Sequence, residues 1–238
     1  MIFPALKVNY LLMEQPALPP IPWPRGYVIA HNGVFAWAKR EGLEVLIPVA
    51  SCTLVGLHPV DPYVRLAYPP VDVSLVAEIL RLACDARTPE GGYLEILLYL
   101  AWDEQRGWQL TVPSQQQEAF CVLPILNDAS EQLHFANTLI EVHSHHTMRA
   151  VFSRMDNLDE QGFRIYAVVG CVDGTADFPR EIRLRVGLYG HFWEIPAGMV
   201  FSLPWGIIDC VKREQVRGMG DAPQWHGVEQ TQEGSHGT

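Results

Sequence analysis

Basic residues are scarce in this 238-residue chain, which has 17 Lys and Arg against 27 Asp and Glu, for a formal net charge of -10. Binding to a phosphate backbone needs clustered basic side chains that release counterions. Basic clusters are few, and one of them, Arg180, Arg183 and Arg185, alternates along a predicted strand and is interpreted as a solvated face. Nucleic acid is therefore not expected as a direct partner.

Paired cysteines and long apolar runs are also lacking. The five cysteines are odd in number, widely spaced and without a CxxC pair, which argues against a disulfide framework and a cysteine zinc site. No window has 18 uninterrupted apolar residues, so no membrane span is predicted. We expect a protein of the reducing cytoplasm without membrane contact.

The first 70 residues are expected to form a Pro-rich strap and a small β-rich domain. The segment from Pro16 to Pro24 favours extended backbone and is interpreted as a strap across a neighbouring surface. Alternating apolar residues follow, with a predicted hairpin turn at Asn32-Gly33 and another turn at Glu41-Gly42. Tyr68-Pro69-Pro70 opposes regular structure and marks a boundary.

The second predicted domain covers residues 71–212 and is of the α+β class, a mixed sheet flanked by helices. Helical spacing of apolar residues predicts an amphipathic helix over Val73–Arg87, with Asp72 or Ser74 as its N-cap. A short second helix is predicted from Ser153 to Gly162. Four strands are also predicted: YLEILLYLAW paired with WQLTVP, and two long strands, RIYAVVGCVDG and EIRLRVGLYGHFWEIP. Leu133 to Val142 (LHFANTLIEV) is an apolar approach to the histidine cluster. Residues 213–238 lack periodicity and are expected to form a disordered tail.

The segment EVHSHHTMRAVFSRMD carries the chemistry. His143 and His145 lie two residues apart, so at the end of a strand their side chains share one face. Ser153 can cap the next helix, which would turn Asp156 in its first turn back towards the imidazoles. His146, directly after the pair, could compete as a ligand, but strand geometry would point it to the opposite face.

Two imidazoles and one carboxylate suit a catalytic Zn²⁺ site, which keeps its fourth position for water. Such a site also needs a group that takes a proton from water and gives one to the leaving amine. Glu95, at the start of an apolar strand, is the candidate for this role. Glu90 is the rival, although its glycine neighbours favour a solvated turn.

The string HxH, seven residues, SxxD, with a glutamate upstream after a helix, resembles the JAMM family of metallopeptidases, also called MPN+ or JAB. The resemblance covers roughly residues 73–205. It implies a JAB/MPN-like, cytidine-deaminase-like fold, zinc on His143, His145 and Asp156, and Glu95 as general acid/base. It also implies that the Ser153 hydroxyl supports the oxyanion. Proline often follows the second histidine in this family, whereas His146 stands here.

The whole chain also resembles the family of A components of PRTRC gene cassettes, which are bacterial and often plasmid-borne. The similar segments include VIAHNGVFAWAKREGLEVLIPVA, LEILLYL, IEVHSHHTM and LRVGLYGHF. This resemblance implies two partners, a ubiquitin-like protein and a ThiF-like, E1-related adenylating protein of the same cassette.

Three functions remain open at this point. The first is zinc-dependent hydrolysis of a peptide or isopeptide bond, at the C-terminal tail of a ubiquitin-like protein. The second is a catalytically silent scaffold that keeps the fold. The third is a small-molecule amidohydrolase, because it would use the same metal and the same water.

Overall fold

The computed structural model describes residues 8–172 and 179–211, which form an α+β fold with two main sheets. The predicted disordered tail lies outside the described residues. The strands are β1 (Tyr10–Leu12), β2 (Arg25–Ala30), β3 (Gly33–Arg40), β4 (Leu43–Ala50), β5 (Tyr63–Leu66), β6 (Leu97–Asp103), β7 (Gly107–Thr111), β8 (Gln115–Gln117), β9 (Val122–Pro124), β10 (Ile140–Ser144), β11 (Phe163–Gly170), β12 (Arg180–Leu188), β13 (His191–Ile195) and β14 (Ile207–Asp209). The helices are α1 (Val73–Asp85), α2 (Ala129–Asn137), α3 (Arg154–Asp159) and a 3₁₀ turn, Ala197–Met199.

The N-terminal sheet has the strand order β1-β2-β3-β4-β5. The turn between β2 and β3 differs from the prediction by one residue. Ala30 pairs with Gly33, so the two-residue loop is His31-Asn32, and Gly33 begins the next strand. The side chain of Asn32 leaves the turn to hold Val60, donating to its carbonyl at 2.8 Å and accepting from its N–H at 3.0 Å.

Both faces of this sheet are covered, which explains the nearly continuous burial of β3. On the outer face Phe35 and Trp37 join a small cluster with Leu18, Ile21 and Trp23 of the Pro-rich segment. That segment therefore covers the outer face of its own sheet. Ala36, Ala38, Val45 and Ile47 point the other way, into the main core.

The second sheet has the order β13-β12-β11-β10-β6-β7, with β14 beside β12. It is mixed, because β10 runs parallel to β11 and antiparallel to β6. One face carries the main core, shared with α1 and the N-terminal sheet. Adjacent residues of a strand point to opposite faces, so every second residue of β10, β11 and β12 lies on the other face. Polar side chains on that face are Glu141, His143, Arg164, Tyr166, Arg183 and Arg185.

Helix α1 confirms the predicted amphipathic helix and buries Val76, Ile79, Leu80 and Ala83. Its N-cap is Asp72, whose side chain accepts from the Ser74 N–H at 2.8 Å. No helix of the described residues is long and apolar enough to cross a bilayer.

Four predicted elements were wrong in extent or type. The strand predicted to begin at Tyr93 begins at Leu97, so Glu95 precedes it. Residues 133–137 belong to α2 rather than to the approach to a strand. The segment predicted as one last strand is a hairpin, because Tyr189-Gly190 turns the chain between β12 and β13. Helix α3 ends at Asp159, earlier than predicted.

The predicted boundary contacts the second sheet through the two tryptophans of β6 and β7. Tyr68 stacks on Trp102 with ring centroids 4.4 Å apart, and Trp108 donates its indole N–H to the Pro69 carbonyl at 2.8 Å. The N-terminal sheet and the following residues thus share one hydrophobic core across this boundary.

Candidate metal centre

The central strand β10 positions the two histidines. His143 lies on its polar face, between Leu97 of β6 and Val168 of β11. The strand ends at Ser144, but the His145 N–H still donates to Val169 O at 2.8 Å, so the pairing with β11 continues for one more residue. The two Nε2 atoms lie 3.2 Å apart.

The loop after His145 is held against the end of β11. The Val172 N–H donates to His146 O at 2.7 Å, and the Ala150 N–H donates to the Glu181 carboxylate at 3.0 Å. Gly170 permits this approach, since a Cβ there would lie 2.3 Å from the Ala150 nitrogen. The loop therefore returns the chain to the polar face at the start of α3.

Helix α3 brings the carboxylate. Ser153 is its N-cap and accepts from the Asp156 N–H at 3.1 Å, while the Asp156 side chain accepts from the Ser153 N–H. This reciprocal capping box fixes Asp156 in the first turn. The exposed Ser153 side chain is thus engaged as a cap, and its predicted oxyanion role stays a prediction.

Three potential ligand atoms converge, one each from His143, His145 and Asp156, all within 4.8 Å of one another. His143 Nε2 lies 3.5 Å from Asp156 Oδ1, and His145 Nε2 lies 4.0 Å from Asp156 Oδ2. Ligands about 2.1 Å from a tetrahedral zinc are about 3.4 Å from each other. The donor set and its spacing therefore fit a zinc ion.

Glu95 joins this group from the segment just before β6. Its Oε1 lies 3.9 Å from His145 Nε2, and the residue is 4% exposed. The backbone is fixed by the β8–β9 region, since the Glu95 N–H donates to Glu118 O at 2.9 Å and its carbonyl accepts from the Gln117 side chain at 2.8 Å. Glu90, the rival, is exposed in a turn.

Burial sets the protonation of these groups. It lowers the pKa of His143 to about 4, so the imidazole is neutral and able to bind a metal at pH 7. It raises the pKa of Glu95 to about 8, helped by the charge of Asp156. Burial raises the pKa of Asp156, but the electrostatic interaction with a protonated His143 and the hydrogen bonds from Ser153 outweigh it, so the pKa is lowered overall.

His146 lies outside the cluster formed by the described residues. It adopts a positive φ of 24° and stacks on Tyr93, with ring centroids 5.4 Å apart. His146 is therefore not among the three converging residues, although the strand on which the prediction relied ends at Ser144, before this residue.

Sequence reasoning missed Glu160 and misinterpreted Arg185. Arg185 was predicted to lie on a solvated face, but it is only 4% exposed. It lies beside the equally buried Glu160, and Arg185 Nε donates to Glu160 Oε2 at 2.7 Å. The available signal was the spacing of Asp156 and Glu160, four apart and hence on one face of a helix.

A pocket of about 170 Å³ opens beside the cluster and is lined by Glu95, His143 and Asp156. Its outer rim carries exposed apolar side chains, Phe120 and Leu123 from the β8–β9 region and Met155 from α3. Among the lining residues, all of which are described, none comes from the N-terminal sheet or the Pro-rich strap.

No protein-family model matches the chain, and no curated protein matches it.

Proposed function

We propose that the protein is a zinc-dependent hydrolase of the JAMM type that cleaves a peptide or isopeptide bond. The observation that carries this proposal is the convergence of two imidazoles and a carboxylate, with the Glu95 carboxylate 3.9 Å from the His145 ring. The JAB/MPN-like fold belongs to the same proposal. It is supported by a mixed sheet that places HxH at the end of a central strand and SxxD at the start of the next helix.

His143, His145 and Asp156 would hold the ion, beside the pocket that Glu95, His143 and Asp156 line. When bound, zinc polarises a carbonyl oxygen and lowers the pKa of water towards about 7. Glu95 lies where it can take the proton of the attacking water and pass it to the leaving amine. In the metal-free protein, burial and the charge of Asp156 raise the pKa of Glu95 to about 8. A nearby cation would lower it again, towards the range that suits a group that both accepts and donates a proton.

The surface around the pocket supports a peptide substrate. The pocket itself is small, at about 170 Å³. The exposed apolar rim, which includes Phe120 and Met155, extends the contact surface beyond the pocket. A chain that lies across the rim with one bond at the metal would use both features.

The proposed substrate is the C-terminal tail of a ubiquitin-like protein, and the proposed neighbour in the reaction sequence is a ThiF-like, E1-related enzyme. Both follow from the resemblance to the PRTRC cassette. A direct test incubates the zinc-loaded protein with that ubiquitin-like protein carrying a C-terminal extension, followed by mass spectrometry. Cleavage at one bond that chelator abolishes supports the proposal; zinc binding without cleavage of fused or conjugated substrates favours the silent scaffold.

We expect the metal-free protein to bind one Zn²⁺ per chain and to become more stable. At a free concentration 100 times Kd, binding adds about 2.7 kcal/mol, which corresponds to about 5–10 °C in a chain of this size. Mg²⁺ should give no shift, because it prefers oxygen ligands to imidazole. Differential scanning calorimetry with each ion checks this, and an unchanged Tm in zinc would contradict the metal site.

The two roles of Ser153 separate in a pair of variants. Ser153→Ala loses the cap and should cost about 1 kcal/mol of unfolding free energy, whereas Ser153→Asn keeps a good cap. If the hydroxyl supports the oxyanion, kcat falls in both variants by about 100- to 1,000-fold. Urea unfolding and cleavage rates, measured on both variants, distinguish the capping role from the oxyanion role. Full activity in Ser153→Asn would show that Ser153 acts only as a cap.

A further inference from the structure

The two nitrogens of the His143 ring face different partners. Nε2 faces the proposed metal position, 3.2 Å from His145 Nε2 and 3.5 Å from Asp156 Oδ1. Nδ1 faces the opposite way, and its acidic neighbour is Glu160, with Oε1 at 3.7 Å. Because a neutral imidazole carries one proton, the partner of Nδ1 decides whether Nε2 is free to bind a metal.

Glu160 is held by one oxygen only. Arg185 approaches its Oε2 with Nε at 2.7 Å and Nη2 at 2.5 Å. Its Oε1 is buried and has no hydrogen-bond partner within the described residues. A buried carboxylate oxygen without a donor is costly, and the nearby ring nitrogen of His143 can supply that donor.

Arg185 is itself fixed on three sides. Its guanidinium lies between the rings of Phe152 and Phe192, 3.9 Å from each centroid, and its Nη1 donates to Asn157 Oδ1. The orientation of Glu160 is therefore set by β12 and α3 and does not depend on the histidine. A pre-fixed carboxylate can orient a ring, whereas a mobile one would follow it.

Helix α3 thus reaches both nitrogens of one ring. Asp156 lies in the first turn and Glu160 is the C-cap, whose N–H donates to Asp156 O at 2.9 Å. Asp156 lies on the Nε2 side of the ring and Glu160 on the Nδ1 side. The separation of 3.7 Å exceeds a normal hydrogen bond, and a side-chain shift of less than ~1 Å would close it.

We propose that Glu160, clamped by Arg185, is a positioning residue that accepts the Nδ1–H of His143 and so presents Nε2 unprotonated to the metal. This inference rests on the metal-binding part of the proposed function. It does not require knowledge of the substrate. The competing explanation is that Glu160 only neutralises the buried Arg185.

The test replaces the whole ion pair, so that no charge is left buried alone. Glu160→Met/Arg185→Met keeps the volume and removes the acceptor; such swaps of buried pairs are often neutral or stabilising. The matched control is Glu141→Met/Arg164→Met. That pair lies on the same sheet face at 2.8 Å, and its arginine also stacks on a phenylalanine ring, but Glu141 has no ion-pair contact with His143.

The first readout is Zn²⁺ affinity, from competition with a chromophoric chelator. We expect the Glu160/Arg185 variant to bind about 10- to 100-fold more weakly than wild type and the control to stay within about twofold. Equal affinity in the variant and wild type would overturn the inference alone. Absence of zinc binding by the wild type would overturn the proposed function as well.

The second readout needs no metal. In long-range ¹H–¹⁵N spectra of the metal-free wild type, His143 should be the Nδ1–H tautomer, and the double Met variant should lose that preference.

If the double variant does not fold, Glu160→Gln serves instead. Arg185 takes the amide oxygen, so the NH₂ group faces Nδ1 and zinc affinity should still fall. An Nε2–H tautomer in the wild type, or unchanged affinity in folded Glu160→Gln, would refute the positioning role.

Discussion

Replacing Asp156 by asparagine is expected to remove the metal from the protein and cleavage with it. The carboxylate is the one charged ligand of the cluster, with oxygens 3.5 and 4.0 Å from the two histidine Nε2 atoms. Loss of a direct ligand should weaken Zn²⁺ binding by more than the ~10- to 100-fold seen when an outer partner is lost. Metal stabilisation of several kcal/mol corresponds to a loss of about 1,000-fold in kcat/KM.

The fold should survive this change. Asparagine keeps a side-chain oxygen for the Ser153 N–H, and the Asp156 N–H can still donate to the Ser153 hydroxyl, so the capping box persists. Circular dichroism should therefore be unchanged, while zinc content measured by mass spectrometry falls. Retained zinc and retained cleavage in Asp156→Asn would remove the proposed mechanism.

Asp159→Asn is the matched control for this experiment. It makes the same change in charge, on the same helix, at an exposed carboxyl group that lines the same pocket. Its zinc affinity should stay within about twofold of wild type. Equal loss of zinc in both variants would mean that general electrostatics, and not coordination, holds the ion.

The convergence of the ligands could be predicted from the sequence because it depends on local periodicity. The strand period of two places His143 and His145 on one face, and the Ser153 cap places Asp156 in the first turn of a helix. Each of these relations involves residues close in the chain. The structure brings all three together, as the spacing indicated.

The surroundings of the site could not be predicted, because they depend on pairings between distant segments. Helix α2 buries no residue, so its apolar pattern is weak, and the strands β8 and β9 have three residues each. The Arg185–Glu160 pair joins residues 25 apart, and either residue alone is typical of a solvated surface. The single core shared by both sheets could not be predicted either, because the sequence does not show which faces of the two sheets pack together.

Replacing Glu95 by glutamine is expected to lower kcat by about 100- to 10,000-fold while zinc remains bound, because a general acid/base is lost and the three ligands are kept. Glu90→Gln is the control. It makes the same substitution in the same connecting segment, at an exposed turn residue, and should leave kcat unchanged within about twofold. Zinc content and single-turnover cleavage at neutral pH separate a catalytic effect from loss of metal.

The same variant should stabilise the metal-free protein. The pKa of Glu95 rises from its ordinary value of 4.5 to about 8 on folding, so between these values the folded state binds more protons than the unfolded state. Stability contributed by this group therefore falls as pH rises from 4.5 to 8 and is constant above that range. Glutamine has no charge to bury, so the variant should have a higher unfolding free energy than wild type. The difference should grow between pH 4.5 and 8 to the order of 2 kcal/mol, after allowance for partial solvent access.

This pH dependence makes the experiment specific to the site. Urea unfolding of wild type and Glu95→Gln across pH 4.5–8 should give curves that diverge, and the contribution of His143 cancels because both proteins contain it. Saturating zinc should shrink the divergence, because a cation beside Glu95 lowers its pKa. We expect Glu95→Gln to lose cleavage, to keep zinc, and to gain stability only in the absence of metal. This combination would show that burial of the Glu95 carboxyl destabilises the fold and is needed for catalysis. If the difference in unfolding free energy between the two proteins were the same at every pH, folding would not raise the pKa of Glu95.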